Sequence, residues 1–321
     1  MNIQRWVARR EQSWKQLEAL LTRAEKQGLK SLQADEIRTL ASLYRSTAAD
    51  LARARTQQAG DLIGQKLQAL VARGYSQIYQ GSRRQDWAAV RQFYLWGFPT
   101  AVQQARGAIA LAVALFGLAA VASWWMAWRD SAFLALLVPE NLIEQVRDRQ
   151  ELWMGSIVGI EPFASSSIMV NNMRVAFETI AGGGLLGLRT VYILLFNGAL
   201  LGAIGALVGQ GNLAWPFWAF VFPHGALELP AIFLAGGAGF LIARALLWPG
   251  IYSRRDALQL YGQQAAHLTF GLVPMLVISG LIEGFFSPNP AVPAAVKYFT
   301  GIGLLTGLIL YLSRSQRTPH L

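Results

Sequence analysis

Apolar residues recur every three or four positions through the first hundred residues of the chain. This spacing is typical of amphipathic helices, because 3.6 residues complete one helical turn. We predict one helix ending before Gly28, two more behind it, and a last helix that starts after Ser82 and leads through Gly97 and Pro99 into the membrane, which together form an all-α bundle. The three apolar faces consist of Trp6, Trp14, Leu17, Leu20 and Leu21; of Ile37, Leu40, Leu43, Tyr44, Thr47 and Leu51; and of Leu62, Leu67, Leu70, Val71, Ile78 and Tyr79.

After residue 106 the pattern changes to uninterrupted apolar runs. A run of about twenty residues crosses a hydrocarbon core of roughly 30 Å, because a helix rises about 1.5 Å per residue. Six such runs are predicted, at 107–128, 171–188, 190–209, 225–248, 268–286 and 294–312. Because six is even, we expect both termini on the same side of the membrane.

These patterns divide the chain into five segments. We assign 1–106 to a basic cytoplasmic helical domain, 107–128 to the first transmembrane helix, 129–170 to an extracytoplasmic segment, 171–312 to a five-helix transmembrane core and 313–321 to a cytoplasmic tail. Leu142, Ile143 and Val146 follow Pro139 at the spacing of amphipathic helices that lie in the membrane interface. The expected fold class is all-α, an N-terminal helical bundle followed by a six-helix membrane bundle.

Composition and charge support this assignment and orient it. The chain is 54% hydrophobic and only 14% charged, with a formal net charge of +10. Up to Arg106 it has 17 Lys and Arg against 8 Asp and Glu, so 17 − 8 = +9 precedes the first apolar run. By the positive-inside rule this part faces the cytoplasm, where anionic membrane lipids attract it. A nucleic-acid partner is not expected, because these basic residues alternate with acidic ones.

Glycines spaced four apart indicate close helix packing in the membrane part, since small residues let helix backbones approach each other. Asn197, in the middle of a predicted span, is expected to form an interhelical hydrogen bond. Some of the glycine pairs are candidates for homo-oligomer contacts. The glycines are Gly183 with Gly187, Gly198 with Gly202, Gly205 with Gly209, Gly280 with Gly284, Gly303 with Gly307, and the cluster Gly236, Gly237 and Gly239.

Ionisable residues inside the predicted spans form the candidate functional site, because charge inside lipid is costly. Arg174 and Glu178 lie one helical turn apart, and His224 and Glu228 repeat that spacing. The assumed topology places these four residues, together with Glu283, Asn171 and Asn172, in the outer half of the membrane. We interpret them as one shared polar cluster, with separate structural pairs as the alternative. Three carboxylates would then face a single arginine, so a proton or another cation is needed for balance.

Several kinds of chemistry are not expected from this sequence. The chain has no cysteine, which excludes disulfides and thiolate ligands. Zinc catalysis commonly uses two or three histidines, but the assumed topology places His267 at the cytoplasmic edge and His320 in the tail, away from His224. No nucleophile motif such as G-x-S-x-G is present. We therefore expect no catalytic residue, no metal and no cofactor.

Several motifs make the chain similar to a known family. They are N-N-M-R-V-A-F-E from Asn171, F-N-G-A-L-L-G from Phe196, P-H-G-A-L-E-L-P-A from Pro223 and A-G-G-A-G-F from Ala235. With them the chain resembles the stage II sporulation protein M family of bacterial membrane proteins over nearly its whole length. The resemblance implies a bacterial inner-membrane protein. The namesake is a scaffold that assembles with cell-wall hydrolases in spore-forming bacteria, and other members are often encoded beside an AAA-type ATPase.

Two functions remain as hypotheses at this point. The preferred one is a non-enzymatic scaffold or assembly factor for cell-envelope machinery, with other envelope or membrane proteins as partners. The alternative is a proton- or cation-coupled transporter, a channel or a lipid-handling protein, in which the buried Glu, His and Arg residues bind the ion.

Overall fold

The computed structural model describes residues 3–57, 60–79 and 87–314, and every regular element within these ranges is helical. The chain divides into two compact units, residues 1–88 and 89–321. The first unit is therefore shorter than the segment 1–106 assigned from the sequence. The predicted tail at 313–321 lies outside the described residues from position 315 onward.

The first unit contains three long helices, α1 (Ile3–Gln27), α2 (Ala34–Thr56) and α3 (Asp61–Tyr79). Helix α1 ends before Gly28, which adopts a positive φ of 83° and reverses the chain direction. Helix α2 begins with a capping box, in which Gln33 and Glu36 satisfy each other's backbone N–H groups. Ile37 and Leu62, which were predicted on the apolar faces, are exposed at the surface. The buried core consists of Trp6, Trp14, Leu17, Leu21, Ala24, Leu32, Leu40, Ala54, Leu67 and Leu70.

Charged side chains fasten these helices to one another. Asp50 is buried in α2 and accepts hydrogen bonds from Arg10 Nε (2.7 Å) and Trp14 Nε1 (2.9 Å). Arg73 in α3 donates from two nitrogens to the carboxylate of Glu25 in α1, at 2.8 and 2.9 Å. These contacts tie all three helices together.

The second unit is a helical bundle. A continuous helix consists of α4 (Trp87–Gln92), a π-helical turn (Phe93–Gly97) and α5 (Phe98–Gln104). Next come α6 (Arg106–Arg129), α7 (Ser131–Leu137), α8 (Glu140–Arg147) and a 3₁₀ turn (Trp153–Ile157). The bundle is completed by α9 (Glu161–Ala181), a 3₁₀ turn (Gly182–Leu185), α10 (Leu188–Gln210), α11 (Ala214–Leu247), α12 (Arg254–Leu281), a π-helical turn (Ile282–Phe286) and α13 (Ala294–Leu312).

Five of the described helices are long and apolar enough to cross a membrane, which makes this a candidate multi-pass membrane protein. They are α6, α10, α11, α12 continued through its π-helical turn, and α13. The predicted span at 171–188 is not among these five. That run is divided between the end of α9 and a tight turn, in which Leu186 and Gly187 adopt positive φ values of 56° and 84°. Helices α6 and α10 run in the same direction, since Gly198 lies beside Phe116 and Gly209 beside Trp128, so α9 returns the chain between them. The even number of crossings, with both termini on one side, stays a prediction.

The two spans that carry the candidate site also differ in length from the prediction. Helix α11 has 34 residues, about 51 Å of helix, and begins eleven positions before the predicted 225. Helix α12 begins at Arg254 rather than at 268. The added part of α12 is polar, with Arg254, Arg255 and Asp256 in its first turn, so its composition did not indicate a span. The added part of α11 is apolar but contains Pro216 and Pro223, which are typical of loops.

Helix α11 is the central element of the bundle. It packs against α6, α9, α12 and α13, and most of its residues are buried. Its composition allows this, because Gly236, Gly237 and Gly239 leave room for neighbouring helices. A Cβ at Gly236 would lie 2.7 Å from Ala112 in α6, and one at Gly239 would lie 2.7 Å from the Thr179 carbonyl oxygen in α9. A Cβ at Gly183 would in turn strike the carbonyl oxygen of Gly239.

Helices α6 and α10 form a second close pair. A Cβ at Gly198 would strike the Phe116 carbonyl oxygen, and one at Gly202 would strike that of Ala120. By contrast, Gly303 and Gly307 in α13 face open space, with no atom within 4 Å of a built Cβ. The Asn197 side chain, expected to bond across helices, donates instead to the Ile193 carbonyl of its own helix at 2.8 Å.

Candidate functional site

The candidate site begins with His224, ten residues into α11. The residue is only 5% exposed, and the Phe220 ring packs edge-on against the imidazole with ring centroids 5.3 Å apart. The Nδ1 atom lies 3.1 Å from the hydroxyl oxygen of Ser287, which follows the π-helical turn after α12. One imidazole nitrogen is thereby engaged, while the other points toward a different neighbour.

Glu228 lies one helical turn after His224, on the same face of α11. Its Oε2 atom is 3.2 Å from the hydroxyl of Ser279 in α12. The same hydroxyl lies 3.3 Å from the His224 carbonyl oxygen, so its single proton can be donated to one of these two acceptors at a time. Ser279 is fully buried and holds α12 against both polar residues of α11.

Glu283 joins the cluster because the end of α12 is wound as a π-helix. Within this turn the Ser287 N–H donates to the Ile282 carbonyl at 2.8 Å, a five-residue spacing that inserts one extra residue into the helix. The turn presents Glu283 and Ser287 together toward α11. Oε1 of Glu283 lies 3.9 Å from His224 Nε2, and its other oxygen, Oε2, is buried without a hydrogen-bond partner.

These three side chains constitute the core cluster, defined as His224, Glu228 and Glu283. One potential ligand atom from each lies within 4.8 Å of those from the other two, and the Glu283 side chain is 16% exposed. Within the described ranges, no Lys or Arg nitrogen lies within 4.0 Å of either carboxylate. The cluster therefore combines two carboxylates and an imidazole, and neither carboxylate forms a close ion pair with a lysine or an arginine in the described part of the chain.

Neighbouring helices close the cluster on both sides. Ser165, near the start of α9, donates to the Gly280 carbonyl at 2.8 Å, and a Cβ at Gly284 would collide with it. On the other side, Lys297 of α13 donates from Nζ to the Ser287 carbonyl at 2.6 Å. These contacts fix the position of the turn that carries Glu283.

The other predicted polar residues form a separate, exposed cluster, so the expectation of one shared site is not met. Glu178 accepts hydrogen bonds from Arg174 Nε (2.9 Å) and from Arg189 Nη2 (2.8 Å), where Arg189 is the second residue of α10. The Arg174 side chain is 74% exposed. Asn171 and Asn172 bond to each other at 3.4 Å. Among the described residues, no hydrogen bond or ion pair links these four predicted residues to the core cluster.

The reason for this separation is the true start of α9. The helix begins at Glu161, so Ser165, rather than Asn171, lies beside the core cluster. Arg174 is nine residues further along the helix and Glu178 thirteen, which correspond to about 13 and 20 Å of axial rise. The turn at 182–187 then folds α10 back, and this brings Arg189 to Glu178.

Four residues of these clusters were not identified from the sequence: Ser279, Ser287, Lys297 and Arg189. Serine is too common in helices to indicate a role, and a π-helical turn has no known sequence signal here. Arg189 falls between the predicted spans 171–188 and 190–209, and no partner was predicted for it. The i, i+4 spacing of His224 and Glu228 was the one informative signal.

The donor set decides what the core cluster can do chemically. An imidazole and two carboxylates can bind a proton or a metal cation, and they are the only described group of three such residues that could hold a metal ion. His267 in α12 packs instead against the Phe93 ring, with centroids 5.7 Å apart. A cavity of about 430 Å³ between α6, α10 and α11 has an almost entirely apolar lining and does not include the cluster.

The core cluster lies in a part of the chain that matches a known protein family. The family model described as stage II sporulation protein M matches residues 112–288, which is more than half of the chain and includes His224, Glu228 and Glu283. A second model, described only as a domain of unknown function, matches residues 4–80.

A curated relative and the solved structures add limited information. An uncharacterized protein of Methanocaldococcus jannaschii is 36% identical over 164 residues, which are 50% of this chain and 89% of the relative. No solved structure matches.

Proposed function

Because this chain belongs to the stage II sporulation protein M family and carries an unbalanced polar cluster within the matched region, we propose that it is a non-enzymatic, ion-coupled membrane protein. The core cluster binds a proton or a metal cation between α11 and α12 and couples its binding to transport or conduction. This role corresponds to the alternative hypothesis drawn from the sequence.

One observation carries this proposal. Oε2 of Glu283 is buried and accepts no hydrogen bond. A buried unpaired polar atom costs about 1–3 kcal/mol, and more when the group is charged. A cluster that served only to fix helix register would be expected to satisfy its acceptors, because a partly satisfied polar network is less stable than an apolar core. The unused oxygen therefore favours a group that binds a proton or a cation.

The proposal is tested by flux measurements on the purified protein in lipid vesicles. A trapped pH indicator reports proton movement, and parallel vesicles carry gradients of monovalent or divalent salts. We expect the wild-type protein to move at least one of these ions faster than empty vesicles do. Glu283→Gln should reduce this rate at least tenfold. Glu178→Gln, which alters a carboxylate outside the core cluster, is the matched control and should retain the wild-type rate.

Either of two results would refute the ion-coupled role. One is a wild-type rate equal to that of empty vesicles for every ion tested. The other is an equal loss in both variants, which would indicate general damage to the bundle rather than loss of a binding site.

A scaffold function is the second candidate, and the separate N-terminal unit favours it. This unit has its own buried core and matches its own family model. A separately folded unit on a membrane protein is suited to binding a partner protein, and for a unit in the cytoplasm the family resemblance suggests an AAA-type ATPase. Cell-wall hydrolases, the other class that the resemblance suggests, would have to bind the extracytoplasmic part of the chain.

A pull-down from mild detergent distinguishes the scaffold from the ion-coupled role. Wild type and Glu283→Gln are compared, and the proteins that copurify are identified by mass spectrometry. Specific envelope proteins that copurify equally with both would support a scaffold that does not depend on the core cluster. The absence of any specific partner would count against the scaffold.

A further inference from the structure

The core cluster also indicates which cation it binds. We propose that His224, Glu228 and Glu283 bind one divalent transition-metal ion, of which Zn²⁺ and Mn²⁺ are the natural examples. This inference rests on the proposed function, because both use the same cluster, but it commits to a metal rather than a proton.

The positions of the donor atoms suit a small cation. His224 Nε2 and Glu283 Oε1 lie 3.9 Å apart, which is too far for a hydrogen bond, and all three ligand atoms lie within 4.8 Å of one another. Tetrahedral zinc with bonds of about 2.0–2.1 Å places its donors about 3.3 Å apart. The side chains therefore need to close by about 1 Å around the ion, a shift that small χ rotations can supply.

Two elements each present a largely buried side chain to the site. The His224 side chain is 93% buried, and its Nε2 faces Glu283 across this gap. Oε2 of Glu283 is buried and unpartnered. One buried carboxylate oxygen of the cluster thus lacks a hydrogen bond, and this arrangement is unfavourable unless an ion or a proton occupies the gap.

The surrounding hydrogen bonds resemble the outer shell of a metal site. A metal-bound histidine commonly uses its second nitrogen in a hydrogen bond, which fixes the ring orientation. Here Nδ1 of His224 lies 3.1 Å from Ser287 Oγ. Lys297 holds Ser287 in place by donating a hydrogen bond to the Ser287 carbonyl oxygen. The Ser279 hydroxyl orients the Glu228 carboxylate in a similar way, through a hydrogen bond to Oε2. Nε2 is left as the ligand atom.

The types of donor select the class of metal. One imidazole with two carboxylates suits Zn²⁺, Mn²⁺, Fe²⁺ or Co²⁺, whereas Ca²⁺ and Mg²⁺ prefer oxygen ligands alone. The chain has no cysteine, which removes the soft ligand preferred by Cu⁺. Two charges on the cation also balance two ionised carboxylates, so a divalent ion removes the need to bury net charge.

Metal binding is tested on the full chain, purified without a histidine tag in detergent and freed of metal by a chelator. His267→Gln and His320→Gln are introduced together, so that His224 is the only histidine left. We expect one Zn²⁺ or Co²⁺ per chain by calorimetry. X-ray absorption of the loaded protein should show one imidazole nitrogen among oxygen ligands. This spectrum needs no cluster variant, so the test holds even if such variants fail to fold.

Variants of the cluster then locate the ion. His224→Gln and Glu283→Gln should each weaken binding at least tenfold, and Glu178→Gln should leave it unchanged. The inference is overturned if no saturable binding is found, if the spectrum lacks an imidazole, or if Glu178→Gln weakens binding as much as Glu283→Gln.

The same material separates this inference from the proposed function. Ion flux that depends on Glu283 without metal binding would leave the ion-coupled role standing and reject the metal. A bound metal without any ion flux would support the metal site and reject the ion-coupled role.

Discussion

Glu283 is the residue on which the functional account depends. It lies on a π-helical turn, faces a buried histidine at 3.9 Å and keeps one carboxylate oxygen without a hydrogen bond. Glu178 is a useful contrast, because both of its oxygens pair with arginines at a surface-exposed position. The two glutamates have the same chemistry, but only the buried one requires a further partner.

At the residue scale, the first unit should lose stability in acid. The hydrogen bond from Arg73 lowers the pKa of Glu25 below its ordinary value. A carboxylate with a lowered pKa stabilises the fold above its unfolded pKa of about 4.3, and this contribution disappears as pH falls through the folded value. We expect hydrogen–deuterium exchange of α1 and α3, corrected for the intrinsic rate, to accelerate below about pH 4.3.

Two variants control this pH prediction. Arg73→Gln should remove most of the acid-dependent change, because the partner of Glu25 is lost. Arg38→Gln disrupts an exposed pair with Asp35, whose side chains are 82% and 90% exposed, and should change little. An acid response that is identical in Arg73→Gln and wild type would contradict the assignment.

The residues that the sequence could and could not identify differ in a physical way. His224 and Glu228 were recognised because ionisable residues are rare in apolar runs and because their spacing places both on one helix face. Ser279 and Ser287 were missed, since their importance arises from contacts across helices. The partnership of Arg189 with Glu178 depends on a turn of six residues, which no helical periodicity predicts.

At the scale of elements, the boundaries of α9 and the winding of α12 determine the site. Apolar content predicted most of the helices in the membrane part, and α13 begins and ends where it was predicted. The start of α9 was placed ten residues late, because Glu161 and a run of serines resemble a loop in composition. This one boundary error moved Arg174 and Glu178 into a site to which they do not belong.

Glycine positions lead to a prediction about helix pairs. Gly202→Ala should destabilise the bundle, because the added Cβ would strike the Ala120 carbonyl oxygen and force α6 and α10 apart. Overpacking of this kind costs about 1–3 kcal/mol. The measurement is the thermal unfolding midpoint of the detergent-purified protein.

Gly307→Ala is the matched control for this helix pair, since a Cβ added at Gly307 would have no neighbouring atom within 4 Å. It should be neutral or slightly stabilising, because alanine is favoured over glycine inside a helix. Equal midpoints for Gly202→Ala and wild type would show that α6 and α10 do not pack as closely as described.

At the scale of the whole molecule, the chain consists of a charged helical unit and a bundle with five candidate spans. The sequence predicted this organisation from hydrophobicity alone, which is a strong signal for spans. We propose that the first unit is cytoplasmic and that the protein lies in the inner membrane of a bacterial cell, on the basis of the +9 charge up to Arg106.

Labelling of single cysteines tests this orientation. The chain has no native cysteine, so each introduced one is unique. Cysteine introduced as Asn141→Cys, at an exposed position of α8, should react with an impermeant maleimide from the periplasmic side of intact cells. Gln12→Cys, exposed on α1, should react only after the membrane is permeabilised. The reverse pattern would overturn the proposed orientation.

The most direct test of the central claim is the thermal unfolding midpoint of Glu283→Gln, measured beside wild type and Glu178→Gln in metal-free detergent solution. If the core cluster is a binding site, its unsatisfied carboxylate lowers the stability of the empty bundle. If the cluster instead serves to hold the helices together, its side chains raise that stability. We expect the midpoint of Glu283→Gln to equal or exceed that of wild type, because an unpartnered buried carboxylate is replaced by a neutral amide. A midpoint several degrees below both wild type and Glu178→Gln would show that the core cluster holds the bundle together, and would contradict its role as an ion site.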